Sequence, residues 1–385
     1  MSFLDALLEP AIAFQAELMG FSLLYPKQVV FGLALALRLR EKLGDRRCRI
    51  VLGGAMMTAL DTKELLAACP FVDDIVPGEG EEAFLALCQG RPTPANRPLP
   101  VENIPPPDFS FANLSQYFNP EPVLPVLFSR GCVWRRCRFC AHNFSYGQYR
   151  HKITAGFVQE LKQLEEKQGA RHFYFADQYL DEESLNGLAD EIIRQRLDIR
   201  FHAMGRPSKA YTRELLEKLH KAGCRWISWG VESGSQALLD KVDKGVDAGD
   251  LPRLIRDTYA SGISNLLMLI FGLPGSTDAD YEATVQLLEK TNNVVDAVTS
   301  SRFQLFEHTP FARHPEKWGL KVTGQETLFV RKGSSVHSFR LNHDGARADA
   351  ELAQWEKFKL WTRGECLFER LGSEHYLLYA DHQRR

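Results

Sequence analysis

Cys132, Cys137 and Cys140 fall within nine residues, in "GCVWRRCRFC", with arginines at 130, 135, 136 and 138 around them. The chain has only eight cysteines in 385 residues, so this clustering needs a chemical reason. Three thiolates are ligands for a soft metal centre. Zinc wants four ligands, usually as two separated pairs; no second CxxC occurs, and His142 would have to complete the set. An iron–sulfur cluster takes thiolates as its standard ligands, and a missing fourth one leaves an iron open to a substrate. The arginines read either as compensation for an anionic cluster or as a solvated basic loop.

The elements that must present this loop are legible from periodicity. From Glu17 onward short β-rich runs alternate with longer helix-periodic runs, the signature of α/β architecture. Six strands are expected at 123–131, 172–177, 199–204, 226–232, 265–272 and 297–306, with room for a helix between each pair, as in "GFVQELKQLEEKQ" and "TRELLEKLHKAG". Units of this length favour parallel strands with right-handed crossovers. Six units are fewer than the eight of a closed (β/α)8 barrel, so the expectation is a partial (β/α)6 barrel. Chemistry in such folds sits at the C-terminal ends of strands. There the chain places Cys132 onward, Asp177 and Gln178, Arg206, Glu232 and Ser233, and the turn that starts at Gly272.

A smaller unit precedes the barrel. "ELMGFSLLY", "RIVLGG" and "DDIVPGEGE" read as strands around two helices, a small Rossmann-like parallel sheet spanning residues 1–90. Residues 91–122, with prolines at 92, 94, 98, 100, 105, 106 and 107 among others, read as a linker, 123–320 as the core barrel, and 321–385 as a C-terminal extension of unknown role, with "TLFVRKGSSVHSFRL" as a hairpin. The formal charge of −2 advertises neither nucleic acid nor anionic membrane as a partner. The longest apolar stretches are too short to span a bilayer, and the N-terminus lacks the lysines of a signal peptide, so a cytoplasmic location is expected. The other cysteines read as reduced, buried thiols.

The cysteine loop resembles the radical S-adenosylmethionine (SAM) superfamily, whose usual motif is Cys-x3-Cys-x2-Cys. Here the first gap is four residues, "CVWRRC", which resembles the variant loop of some members with an attached cobalamin-type domain, among them enzymes that mature ribosomal peptides. "GQYRHKITAGFVQEL", "FYFADQYLD", "FHAMGRPSKAYTRELLEKLHKAGCRWISWGVESGSQALLDKVDKG" and "LIFGLPGSTDADYEAT" follow in the same order as in that superfamily. The first unit is similar to the second half of a cobalamin-binding domain; about 16 residues precede its first strand, so it looks truncated.

The resemblance implies that Cys132, Cys137 and Cys140 hold a [4Fe–4S] cluster whose open iron chelates SAM, and that reductive cleavage gives a 5′-deoxyadenosyl radical. It implies SAM contacts at Phe139 (adenine), Gln178 (amino group), Arg206 (carboxylate), Glu232 and Ser233 (ribose side) and Gly272 (adenine side). It implies cobalamin contacts at Ser22, Gly53 and Gly54. Alternatives stay open for several: Phe139 as a mouth-filling aromatic, Glu232 in a structural ion pair, Arg206 bridged to Glu232. Phe303, Phe306, Glu307 and His308 lie where substrate would arrive, although two phenylalanines read more readily as core. No proton-transfer residue is assigned. The reaction implied is modification of an unactivated carbon, by methyl transfer if cobalamin binds, on a peptide or small natural product, with an electron donor such as flavodoxin or ferredoxin. The rivals are a cobalamin-independent radical reaction and a zinc-stabilised nucleic-acid-binding module.

Overall fold

The computed structural model describes residues 3–44, 46–94, 97–331, 334–358 and 373–383. Three parallel strands come first, β1 (Leu18–Ser22), β2 (Arg49–Gly53) and β3 (Asp74–Ile75), in that spatial order. The crossover helix Pro26–Leu43 buries Val29, Leu33, Ala36, Leu39 and Leu43, a stripe of helical period, in one core with Ile50 and Leu52.

Six more strands then lie side by side in chain order: β4 (Val123–Val126), β5 (His172–Phe175), β6 (Arg200–Gly205), β7 (Cys224–Glu232), β8 (Ser264–Phe271) and β9 (Ala297–Arg302). Every neighbouring pair is parallel. Among the described residues β4 and β9 do not pair, so the barrel is open, as six units require. Strand β7 is buried along its length except at Arg225, because helices cover one face and the barrel interior the other. Asp181, Thr212 and Thr277 each accept a backbone N–H in the first turn of the helix that follows, which fixes where Glu182–Gln195, Arg213–Lys221 and Asp278–Thr291 begin.

Three expected strands are shorter than their sequence runs, and the run 172–177 ends at Phe175. The run 123–131 stops at Val126 because the N–H groups of Phe128 and Ser129 donate to the Asp177 carboxylate instead of to a neighbouring strand. The run 297–306 breaks after Arg302; its end, β10 (Leu305–Phe306), turns to pair antiparallel with a distant strand. That strand is β12 (Ser334–His343), which also pairs with β11 (Val322–Arg331) to give a hairpin longer than expected. The turn residues 332 and 333, and Cys366, lie outside the described residues.

The chain's end closes the barrel floor. Tyr376, Leu377 and Ala380 of helix Ser373–Gln383 pack with Val123, Trp226 and Leu266, near the N-terminal ends of their strands. Asp381 of that helix lies 3.1 Å from Arg200 Nε and 3.0 Å from Arg225 Nε. Trp355 of helix Ala346–Phe358 joins the main barrel core. With the floor plugged, the barrel's open face is the opposite mouth, at the C-terminal ends of the strands. Among the described residues no helix is long and apolar enough to cross a membrane.

Candidate active site

Cys132, Cys137 and Cys140 are free, half-buried thiols on the loop that leaves β4. The longer first gap of that loop holds Trp134, and the structure gives it a job. Its indole N–H donates to Asp243 O at 2.7 Å, while Arg136 pairs with the Asp243 carboxylate at 3.1 Å and Arg138 N donates to Val242 O at 2.9 Å. The loop is thereby docked on the turn Lys241–Gly245, downstream of β7. Gly245 has a φ of 66°, and a Cβ there would stand 2.1 Å from the Trp134 ring. Only glycine lets the indole lie so close.

Glu232 ends β7 in left-handed backbone, φ 63°, with 8% of its surface exposed. Its Oε1 lies 2.5 Å from Nζ of buried Lys244. Burial alone would lower the Lys244 pKa, but the Glu232 carboxylate and the nearby Cys137 and Cys140 sulfurs outweigh it and the net effect is a rise. Gly230 makes this possible, since a Cβ there would stand 2.8 Å from the ammonium. Of the two readings of Glu232, the ion pair is present, and it joins the end of β7 to the turn on which the cysteine loop docks. Sequence reasoning missed Lys244; a lone lysine in a turn carries no periodic signal.

Asp177 turns away from the mouth. Completely buried, it accepts from Phe128 N at 3.2 Å and from Ser129 N at 2.5 Å. Burial pushes its carboxyl up to about 6 against the pull of those donors. It pins the base of the cysteine loop. Its neighbour Gln178 faces the loop, with Nε2 3.1 Å from His142 Nδ1 and a buried Oε1 that has no partner. Arg206 does not bridge Glu232. It lies over Trp134 at 4.3 Å from the ring centre and donates to Gly245 O at 2.6 Å, leaving a buried Nε without a partner.

Three expected contacts are engaged by the chain itself. Ser233 Oγ lies 3.1 Å from Thr284 Oγ1, on the helix side of the strand end. Gly272, φ 73°, is covered by helix Ala346–Phe358: a Cβ would meet Ala348 at 2.2 Å, and Gly272 N donates to Glu351 Oε2 at 2.6 Å. Phe139 joins the apolar group of Leu238, Val242, Leu273 and Phe303. Lys244 Nζ stands 5.8 Å from the centre of its ring.

In the first sheet, Ser22, Gly53 and Gly54 line a cavity of about 450 Å3 at the C-terminal ends of β1 and β2. Gly54, φ 92°, is needed first by the fold, because a Cβ would stand 2.5 Å from Leu23 O. Gly78 and Gly80 line the same cavity, and between them Glu79 binds Arg130 at 3.0 Å and Arg150 at 2.5 Å. Burial works against that carboxylate, but the Arg150 and Arg130 guanidiniums and the Leu99 N–H hold its pKa below the ordinary value. Arg130 begins the cysteine loop, so one acid ties the cavity wall to it. The sequence had offered Arg130 only as loop charge.

The donor set fits an open iron–sulfur cluster. Burial pushes the Cys137 thiol up to about 12 and Cys140 in the same direction, so their thiolates need cationic partners such as irons and the Lys244 ammonium. A tetrahedral zinc would draw its sulfurs to about 3.8 Å of one another. Among the described residues no three His, Cys, Asp or Glu side chains converge on one ion position, whereas a cubane takes each cysteine at a different iron. The unpartnered Gln178 Oε1 and Arg206 Nε suit the amino and carboxylate groups of SAM.

Residues 126–288 match the radical SAM superfamily. Over 356 residues the chain is 26% identical to an uncharacterized methyltransferase of Pyrococcus horikoshii, covering 85% of this chain and 75% of that one. It shares its fold with the radical S-adenosylmethionine methyltransferase TsrM of Kitasatospora setae, solved with tryptophan and a SAM analogue. There the TM-score is 0.69 at 21% identity, over 84% of this chain and 70% of that one. The cobalamin-dependent S-adenosylmethionine radical enzyme OxsB, solved with aqua-cobalamin, superposes at a TM-score of 0.74 and 15% identity, over 92% of this chain and 60% of that one. A cysteine loop docked at the mouth of an open six-stranded barrel, and a sequence match that runs from the end of β4 into the helix after β8, have one common explanation: residues 126–288 form a radical SAM domain, the domain of an enzyme whose cofactors are a [4Fe–4S] cluster and SAM.

Proposed function

We propose that this chain is a radical SAM methyltransferase that also uses cobalamin and acts on an unactivated carbon of a peptide or small natural product. One observation carries the reading. The glycine-rich cavity at the ends of β1 and β2 is fastened to the base of the cysteine loop by Glu79, so a corrinoid held there would face the barrel mouth. The relatives with methyltransferase and cobalamin in their names support it.

In this reading Cys132, Cys137 and Cys140 hold the cluster, Gln178 and Arg206 receive the SAM amino and carboxylate groups, and Ser22, Gly53 and Gly54 border the corrinoid. When bound, the cluster supplies one-electron cleavage of SAM and the corrinoid supplies methyl transfer. The chain's own residues bind, orient and exclude water: Trp134 and Asp177 hold the loop, Lys244 offsets its negative charge, and the plugged floor closes the far end.

The test is anaerobic reconstitution with iron and sulfide, incubation with hydroxocobalamin, desalting, and assay with methyl-labelled SAM. Retained corrin absorbance and 5′-deoxyadenosine support the proposal. SAM cleavage with no retained corrin would replace it by a cobalamin-independent radical reaction.

A further inference from the structure

A cleft of about 750 Å3 opens between the cysteine loop and the segment Glu307–Arg313, and Cys140 forms part of its wall. Its volume is that of a small-molecule site. Neither Gln178, Arg206 nor Glu232 lines it. It is separate from the groups assigned to SAM and reaches the same cluster ligands.

Two exposed arginines, Arg135 and Arg313, line opposite sides. The other arginines of this region are engaged: Arg130 and Arg150 with Glu79, Arg136 with Asp243, Arg138 with Lys241 O, Arg206 with Gly245 O. Among the described residues no side-chain acceptor meets the Arg135 or Arg313 guanidinium, and Glu307, which shares the cleft, pairs with neither. Leaving two guanidiniums unpaired at one cavity is unlike the rest of the loop.

The cleft's backbone is strained on both sides. Arg135 (φ 51°) and His308 (φ 67°) occupy left-handed conformations, which residues with a side chain adopt only at an energetic cost. Asn143 Nδ2 holds the Arg135 carbonyl at 3.0 Å, and the His308 ring stacks on Phe144 at 4.1 Å and 13°. Strain maintained by surrounding contacts is common at ligand sites. Phe144, His308 and Leu341 give the cleft a flat apolar side; the arginines give it a fork for an anion.

We infer that this cleft is the substrate site and takes a carboxylic acid, its carboxylate between Arg135 and Arg313 and its apolar body against Phe144 and His308. The inference rests on the radical SAM methyltransferase reading, which puts the cluster beside Cys140.

The test uses the reconstituted full chain and a fluorescent pair, 1-pyrenebutyrate and its methyl ester, with binding followed by anisotropy and SAM cleavage measured in the same preparation. The acid should bind about tenfold to a hundredfold more tightly than the ester, and added salt should weaken only the acid. In Arg313→Gln the two should bind within about threefold of each other, with Arg313→Lys between, since the ammonium keeps the charge and loses the fork. Equal binding of acid and ester to the wild-type chain, or an undiminished preference in Arg313→Gln, overturns the inference. If SAM is cleaved and the acid preference is missing, only the inference falls. If the preference is present and SAM stays intact, the anion site stands and the proposed function falls.

Discussion

Lys244 Nζ lies 2.5 Å from Glu232 Oε1, both buried, between the end of β7 and the cysteine loop. The pair sets a positive charge beside Cys137 and Cys140. Lys244→Met should therefore do two things. It should destabilise the fold by about 3–5 kcal/mol, because the Glu232 carboxylate is left buried and unpaired. It should also make the reconstituted cluster harder to reduce, on the order of 60 mV for each 1.4 kcal/mol of charge stabilisation lost. An EPR-monitored redox titration checks the second effect, and Lys244→Met with Glu232→Gln should recover most of the first. A midpoint that does not move would detach Lys244 from the cluster.

Gly245 and Trp134 are a matched pair. Gly245→Ala places a methyl group where the indole lies, in backbone that costs alanine about 1–2 kcal/mol before any clash. The loop should undock, and iron retained after desalting should fall well below that of wild type. Trp134→Phe keeps an aromatic side chain while losing the bond to Asp243 O and part of the packing on Gly245, so its loss of iron should be smaller than that of Gly245→Ala.

Asp177 makes the fold pH-sensitive. Its carboxyl, pushed up to about 6 by burial, holds its proton more tightly in the folded chain than in the unfolded one. Its contribution to stability is thus complete below the unfolded value near 3.8 and is lost as pH rises through 6. The rise corresponds to about 3 kcal/mol. Asp177→Asn carries no such charge, so its stability relative to wild type should improve by up to that amount between pH 4 and pH 7. Urea denaturation at the two pH values checks this; a constant difference contradicts it.

Glu79 links the first sheet to the barrel. Arg130 and Arg150 are 13% and 17% exposed, so Glu79→Gln should cost about 1–2 kcal/mol, between the values for exposed and buried pairs. Corrin retention should weaken by a similar free energy in gel-filtration or equilibrium-dialysis measurements. Unchanged retention would show that the cavity does not depend on this tether.

Periodicity located β6, β7 and β8 to within two residues of their observed ends, because each is a largely buried run between two helix-periodic segments. What it missed depends on partners remote in sequence. The run 123–131 reads as unbroken β; the carboxylate that ends it is nearly fifty residues away. The turn at Gly272 reads as room for a ligand, whereas the helix at Ala348 and Glu351 that fills it lies more than seventy residues downstream. The three cysteines stand out in the sequence because their spacing is itself the signal. Lys244, Glu79 and Trp134 act through contacts with residues well away in the chain, which leave no local pattern.

The most direct measurement is a Mössbauer spectrum of the full chain, reconstituted with 57Fe under anaerobic conditions, before and after SAM is added. The expected result is about four irons per chain in one cubane, with one iron changing its isomer shift when SAM binds, and loss of that spectrum in the triple variant of Cys132, Cys137 and Cys140 to alanine. A chain without a cubane, or a cubane that the triple variant still assembles, contradicts the assignment of these three thiolates.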